Sequence, residues 1–130
     1  MLFLASCSMP SGNERLKIIR DYNDEQFAEK IYRTPYFEIY SLNKIKNSNK
    51  LIIYIEGDGV SWIDRFTISS NPTPTDPLAF RLAKIDKSDN VLYLARPCQY
   101  VQTNNCDNSE IWSVSQYSED VLSSYRAIID

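Results

Sequence analysis

The sequence predicts an α/β fold, in which helices pack on the faces of a β-sheet. Two continuous apolar segments, residues 51–55 and 91–95, are typical of strands that are buried on both faces of a parallel sheet. Between them, in residues 78–85, apolar side chains recur at helical spacing. Together the three segments predict a β-α-β unit with a right-handed crossover.

The segment that precedes this unit, residues 13–35, is predicted to be helical. Asp24 is a suitable N-cap for a second short helix that runs to Ile31, and Pro35 cannot continue a helix. The aromatic and β-branched residues from Tyr36 to Leu42 then predict a strand.

Two further helices complete the predicted order of elements. Asp76 is a natural N-cap and Pro77 a natural first residue for the helix inside the β-α-β unit. A last helix is predicted over residues 115–130, because its apolar residues fall on one face. We expect the helix of the β-α-β unit to pack on the sheet through Leu78, Leu82 and Ile85, with Ala79 and Ala83 beside them.

Functional side chains are expected in two long loops, residues 56–77 and 96–115. Both loops follow buried strands, and ligands of open α/β sheets bind beyond the carboxyl ends of the strands. Connections between strands and helices usually have about 2–6 residues, so loops of this length indicate a function. Trp62 and Trp112 lie in these loops, where they either line a pocket or pack over the end of the sheet.

Composition excludes several classes of function. The sequence contains no histidine, so it cannot form a Ser-His-Asp or Cys-His catalytic site by itself. Its formal net charge is −3 and it has no run of lysine and arginine, which argues against binding of nucleic acid. Its cysteines are far apart and its carboxylates are scattered, so we predict no metal site, and we expect no cofactor.

The N-terminus resembles the end of a bacterial lipoprotein signal. In Leu4-Ala5-Ser6-Cys7, small residues precede a cysteine, and the chain becomes polar directly after it. In signals of this kind the cysteine becomes the lipid-bearing N-terminus, so Cys7 is the candidate lipidation site. Residues 1–12 are accordingly interpreted as a remnant signal and a linker. The alternative is a chance apolar start with a free thiol, because a basic region and a full apolar region are missing.

Three blocks of sequence resemble a family of bacterial α/β-hydrolase-fold proteins, many of which carry secretion or lipoprotein signals. The blocks are Tyr54-Ile55-Glu56-Gly57-Asp58-Gly59, residues 72–77 and residues 93–101. The resemblance covers residues 36–130. It implies that these residues form the N-terminal portion of an α/β-hydrolase-like domain.

The resemblance assigns a role to Gly57, Asp58 and Gly59. In α/β-hydrolases the turn after the third strand contributes a backbone N–H to the oxyanion hole, and glycine lets the backbone approach a substrate. The alternative interpretation is a tight turn without a catalytic role. Arg96, at the end of the next predicted strand, is expected to bind an anionic group or to pair with Asp58 or Glu56.

The resemblance also implies which parts of the enzyme are missing from these 130 residues. In the family a fifth strand leads into G-x-S-x-G, which holds the nucleophilic serine, and the acid and the histidine follow later. The sequence contains no G-x-S-x-G, and Asp130 falls at the end of the helix that is expected before that strand. We therefore expect no catalytic residue in this chain, and we expect a downstream fragment with the rest of the domain as its partner.

Cys98 and Cys106 are expected to form a disulfide, because both fall within the resembling region and bracket a short polar loop. Such a bond persists in an oxidising compartment such as the periplasm, and it leaves Cys7 free to carry a lipid. The alternative is a pair of reduced thiols in the cytosol. The expected location is thus the periplasm or cell envelope, with membrane contact only through the lipid anchor.

Two functions follow from the sequence. The first is the N-terminal fragment of an envelope serine hydrolase, esterase- or lipase-like, that is inactive alone. The alternative is a non-enzymatic envelope lipoprotein that acts as a binding or structural module.

Overall fold

A computed structural model of the chain describes residues 8–47 and 49–130, which form a four-stranded mixed sheet with helices. The predicted α/β class is therefore confirmed. In chain order the elements are helix α1 (Gly12–Asn23), strands β1 (Ala28–Arg33), β2 (Glu38–Ile45) and β3 (Ile52–Ile55), helix α2 (Leu78–Ile85), strand β4 (Asn90–Leu94), a short 3₁₀ turn (Asn104–Asp107), and helices α3 (Glu110–Ser113) and α4 (Glu119–Ile129).

The sheet has the strand order β1-β2-β4-β3. β2 pairs antiparallel with both β1 and β4, whereas β3 and β4 are parallel. The segment β3-α2-β4 is thus the predicted β-α-β unit. Because β4 lies between β2 and β3, it is buried along its whole length, as its continuous apolar sequence predicts.

The core has one cluster of buried side chains on each face of the sheet. On one face, Ile19 of α1 and Phe80 of α2 pack against Tyr40 and Tyr93. On the other face, Val121 of α4 packs against a cluster that includes Ile39, Leu92 and Leu94. Alternate residues of β2 and β4 supply the two clusters, since successive side chains of a strand point to opposite faces. Within the described residues, no helix is both long and apolar enough to cross a membrane.

The predicted second helix of residues 13–35 is wrong, because this part of the chain forms strand β1. Asp24 does not begin a helix but ends α1, with a left-handed φ of 48°. The side chain of Asn23 then bonds the N–H and the carbonyl oxygen of Phe27, which closes the turn into β1. β1 is an exposed edge strand, so it lacks the alternation of apolar and polar residues that identifies a half-buried strand.

Two details predicted for α2 are also wrong. Asp76 does not cap the helix, because its carboxylate pairs instead with Arg81. The buried residues of α2 are Phe80 and Ala83. Of the side chains predicted to face the core, Ala83 is therefore confirmed, whereas the three large ones are exposed, by 58% at Leu78, 48% at Leu82 and 74% at Ile85. The apolar residues of α2 cover two sides of the helix, and periodicity alone does not tell which side meets the sheet.

The last helix is shorter than predicted. α4 begins at Glu119, because α3 and a turn occupy the preceding residues. Val121 and Ser124 of α4 are buried, and Tyr125 packs on the core, whereas Tyr117 precedes the helix and is exposed.

Candidate functional site

The loops after β3 and β4 lie side by side at the carboxyl ends of these parallel strands. The N–H of Glu56 donates to the carbonyl oxygen of Leu94 at 2.9 Å, which extends the pairing past the end of β3. The buried side chain of Gln99 then joins the two loops. Its Nε2 donates to the carbonyl oxygen of Gly57 at 2.9 Å, and its Oε1 accepts from the N–H of Arg96 at 3.0 Å. A single buried amide thus holds the turn after β3 against the turn after β4.

Glu56 is a buried carboxylate that caps helix α2. Its Oε1 accepts hydrogen bonds from the N–H groups of Gly57 at 3.0 Å and Ala79 at 3.2 Å, and its Oε2 accepts from the Tyr93 hydroxyl at 3.0 Å. Ala79 lies in the first turn of α2, where N–H groups lack partners within the helix and negative charge is favoured. Glu56 therefore performs the capping that we predicted for Asp76.

The turn Gly57-Asp58-Gly59 has two backbone donors without an acceptor among the described residues, the N–H groups of Asp58 and Gly59. Gly59 has a φ of 60°, and a Cβ there would lie 2.1 Å from the carbonyl oxygen of Pro72. At Gly57, by contrast, a Cβ would have no atom within 4 Å. Gly59 is thus required by close packing, while the chain at Gly57 borders open space. The participation of this turn in an oxyanion hole stays a prediction.

Arg96 forms one of the ion pairs predicted for it. Its Nη1 lies 3.0 Å from a carboxylate oxygen of Asp58, and its Nη2 donates to the carbonyl oxygen of Gln116 at 2.6 Å. The guanidinium carbon also lies 4.9 Å from the centroid of the Tyr117 ring. Arg96 therefore connects the turn after β3 with the segment that leads into α4.

The predicted disulfide between Cys98 and Cys106 is confirmed, and it lies next to a strained stretch of backbone. The two Cα atoms are 5.6 Å apart. Cys98 and Tyr100, on either side of Gln99, have positive φ values of 68° and 63°. Such conformations cost of order 1–3 kcal/mol each and persist only where the surrounding structure maintains them. Here the disulfide on one side and a hydrogen bond from the Tyr100 N–H to Thr73 on the other hold Gln99 in place.

The two tryptophans of the long loops have different environments. Trp112 is buried against the disulfide, and its Nε1 donates to the carbonyl oxygen of Ser69 at 3.0 Å. It therefore packs between the loop after β3 and the disulfide. Trp62 is 43% exposed.

A cleft of about 370 Å³ lies between the turn after β3 and the start of α2. Its two carboxylates are both engaged, since Glu56 caps α2 and Asp76 lies 2.9 Å from Arg81. The cleft therefore offers mainly apolar walls next to backbone groups. The lining includes Gly57, Gly59, Val60, Leu78 and Leu82.

Sequence reasoning missed Glu56 as a cap and Gln99 as the connection between the loops. The sequence contains only a weak signal for either role. Glu56 is a single polar residue directly after a strand, and Gln99 is a single polar residue within a loop. The predicted lipidation site, Cys7, lies outside the described residues. In the part of the chain that is described, no three His, Cys, Asp or Glu side chains group closely enough to hold a metal ion.

Fold and site together define a mixed α/β sheet with a cleft beyond the carboxyl end of β3. Comparison with protein-family models, with curated proteins and with solved structures found no match to this chain. The resemblance to α/β-hydrolases therefore stays a prediction from the three sequence blocks.

Removal of the disulfide is expected to lower the free energy of unfolding by about 2–3 kcal/mol, because the bond closes a short loop in the unfolded chain. Urea unfolding of the parent and of the double variant Cys98→Ser/Cys106→Ser measures the difference. A non-reduced digest of exported protein should contain the two cysteine peptides linked to each other. Two freely alkylated thiols in that material would contradict the bond.

Proposed function

We propose that this chain forms the oxyanion-side wall of a serine hydrolase of the bacterial cell envelope, an esterase- or lipase-like enzyme of the α/β-hydrolase type. In this proposal the nucleophilic serine, the acid and the histidine lie outside these 130 residues, so the chain alone is inactive. The observation that carries the proposal is the pair of N–H groups of Asp58 and Gly59. They have no acceptor among the described residues, and they belong to the turn that borders the cleft.

Two contacts of this turn with neighbouring segments support such a role. Backbone donors stabilise the negative charge of a tetrahedral intermediate best when they are already held in position, since no reorganisation is then needed during the reaction. Gly59 is packed against Pro72, and the carbonyl oxygen of Gly57 is bound by Gln99. The apolar side chains of Leu78 and Leu82 offer a wall of the kind that accepts an acyl chain.

The free edge of β3 is a further argument for a partner segment that adds a strand to the sheet. β3 pairs with β4 along one edge, and its other edge pairs with no strand among the described residues. Helix α2, which packs on β3 and β4, exposes Leu78, Leu82 and Ile85 to solvent. An open edge of a sheet that carries an exposed apolar helix face favours the addition of another strand. We propose that a downstream fragment with the serine turn supplies this strand.

The disulfide supports a location in the cell envelope. Disulfides persist in the periplasm and outside the cell, whereas cytosolic thiols are kept reduced. Lipid attachment at Cys7 is the second part of this proposal. Labelling of expressing cells with a fatty-acid analogue should mark the parent protein and leave Cys7→Ser unlabelled. An unlabelled parent in the membrane fraction would contradict it.

The purified chain alone is expected not to hydrolyse short- or medium-chain p-nitrophenyl esters, because it contains no histidine to activate a serine. Activity is expected when the chain is co-expressed with the downstream fragment that carries G-x-S-x-G and a histidine. In that complex, Gly57→Val should lower kcat/KM by roughly 10²-fold, because its side chain enters the open space beside the turn. The matched control is Ser70→Val, at an exposed position of the same loop.

Two results would contradict the proposal. Turnover by the chain alone, unaffected by inhibitors of serine hydrolases, would show that no outside residues are needed. A complex that forms but does not hydrolyse esters would instead favour the non-enzymatic envelope lipoprotein that acts as a binding or structural module.

A further inference from the structure

Residues 61–69, in the loop after β3, form a small closed hairpin. The N–H of Ser69 donates to the carbonyl oxygen of Ser61 at 2.9 Å, and the N–H of Ile63 donates to that of Thr67 at 2.8 Å. Trp62 and Ile68 form an antiparallel bridge between these bonds. The hairpin is therefore an ordered projection from the body of the protein.

The tip of the hairpin is held by Asp64. Its carboxylate accepts hydrogen bonds from the N–H of Phe66 at 2.8 Å, the N–H of Thr67 at 2.9 Å and the hydroxyl of Thr67 at 3.0 Å. These bonds, chiefly the one from the Phe66 N–H, lower the pKa of Asp64 below its ordinary value. The carboxylate at the tip is thus bonded within the turn and closes it.

This ordered tip presents large apolar side chains to solvent. Phe66 is 86% exposed, Ile63 is 56% exposed and Trp62 is 43% exposed. Phe66 has the largest exposed fraction among the exposed large apolar side chains of the described residues. Arg65, which lies between Asp64 and Phe66, is exposed and forms no ion pair with a described residue. Apolar and aromatic side chains next to a free cation are the combination that binds at the headgroup region of an anionic bilayer.

The hairpin also lies beside the point where the N-terminal segment reaches the body of the protein. The buried guanidinium of Arg15 donates to the carbonyl oxygens of Pro10 at 2.8 Å and Asn71 at 3.1 Å. Asn71 lies two residues after the base of the hairpin, and its carbonyl oxygen also accepts from the Ser69 hydroxyl at 2.9 Å. Pro10 is therefore held next to the hairpin. Cys7 precedes Pro10 by three positions, a length of chain that spans at most about 11 Å.

We propose that the hairpin of residues 61–69 binds the surface of an anionic phospholipid bilayer, with Trp62, Ile63 and Phe66 in the interfacial region and Arg65 at the phosphate groups. This inference rests in part on the proposed lipid attachment of Cys7, because an acyl chain at that position anchors the protein with the hairpin on the membrane side. The hairpin adds a second contact beside the lipid anchor and orients the loops after β3 towards the lipid surface.

The test uses the full chain with Cys7→Ser, so that binding through a lipid anchor does not contribute. Co-flotation with vesicles of phosphatidylethanolamine and phosphatidylglycerol measures the partition coefficient, and quenching by brominated lipid reports the depth of tryptophan. Phe66→Asp is expected to lower the partition coefficient at least about tenfold. Arg65→Glu should lower it about fivefold or more on these vesicles, and much less on vesicles of phosphatidylcholine alone.

The matched control is Ile45→Asp, which introduces the same charge at an exposed apolar position where β2 pairs with the start of β4, at the opposite end of the sheet from the loop after β3. We expect this variant to bind vesicles like the parent. Because both replaced side chains are exposed, the thermal unfolding temperatures should stay close to that of the parent, which separates lost binding from lost folding.

The proposal would be overturned by no flotation of the parent, by equal flotation of parent and Phe66→Asp, or by a soluble dimer of the parent that Phe66→Asp dissociates. The dimer would assign the hairpin to a second copy of the chain. Loss of vesicle binding when the downstream fragment is added would assign it to that fragment and would also overturn the proposal. Acyl labelling and ester hydrolysis are separate readouts, so failure here is distinguishable from failure of the proposed function.

Discussion

Gly59→Val is expected to destabilise the protein by at least about 3 kcal/mol. The residue has a φ of 60°, which costs a β-branched side chain roughly 1–2 kcal/mol or more. In addition, its Cβ would lie 2.1 Å from the Pro72 carbonyl oxygen and 3.0 Å from the Pro74 nitrogen. Because both neighbours are backbone atoms, the two loop segments must separate. Urea unfolding monitored by circular dichroism measures the loss.

Gly57→Val is the matched control for this prediction, because it makes the same change two residues away. A Cβ at Gly57 would have no atom within 4 Å, so we expect a change within about 1 kcal/mol. Equal losses at Gly57 and Gly59 would show that the turn is not packed as described. The control also matters for activity measurements, since at Gly59 lost activity cannot be separated from lost structure.

Glu56→Ala is the second replacement with a large expected effect, a loss of about 3–5 kcal/mol. The change removes three hydrogen bonds to a charged acceptor. It leaves the N–H of Ala79 without a cap and the hydroxyl of Tyr93 buried without an acceptor. Burial raises the pKa of Tyr93 well above its ordinary value, so this hydroxyl keeps its proton and stays a donor. Chemical unfolding of the variant and the parent measures the loss.

Tyr93→Phe is the companion variant for Glu56. It removes one of the three donors and leaves the two backbone bonds, so a loss of about 1–2 kcal/mol is expected. In the Tyr93→Phe background, Glu56→Ala should cost less than in the parent, because no hydroxyl is then left without an acceptor. Additive losses would contradict a direct bond between the two side chains, and a loss below about 1 kcal/mol for Glu56→Ala would contradict its capping role.

Much of the fold was predictable because several signals are local. Both continuous apolar runs form parallel strands here, β3 and β4. Only β4 is buried along its whole length, and the predicted burial of both faces of β3 is wrong, because β3 lies at the edge of the sheet and is half-buried. The disulfide pair was predictable because the two cysteines bracket a short polar loop. β1 was not predictable, because an exposed edge strand has no apolar face to create a pattern. The buried side of α2 was not predictable either, since its sequence offers two apolar sides and the sheet accepts one.

By itself, the sequence determined the α/β class, the β-α-β unit, the two long loops and the absence of histidine from these residues. Only the tertiary structure decided the roles of single residues within the site. Two carboxylates, Glu56 and Asp76, lie close to the start of α2. Glu56 caps the helix because β3 ends against it, whereas Asp76 pairs with Arg81. Gly57 and Gly59 look alike in sequence, but only at Gly59 would a Cβ clash with the backbone of Pro72. Such distinctions depend on contacts between segments distant in sequence, which no local pattern encodes.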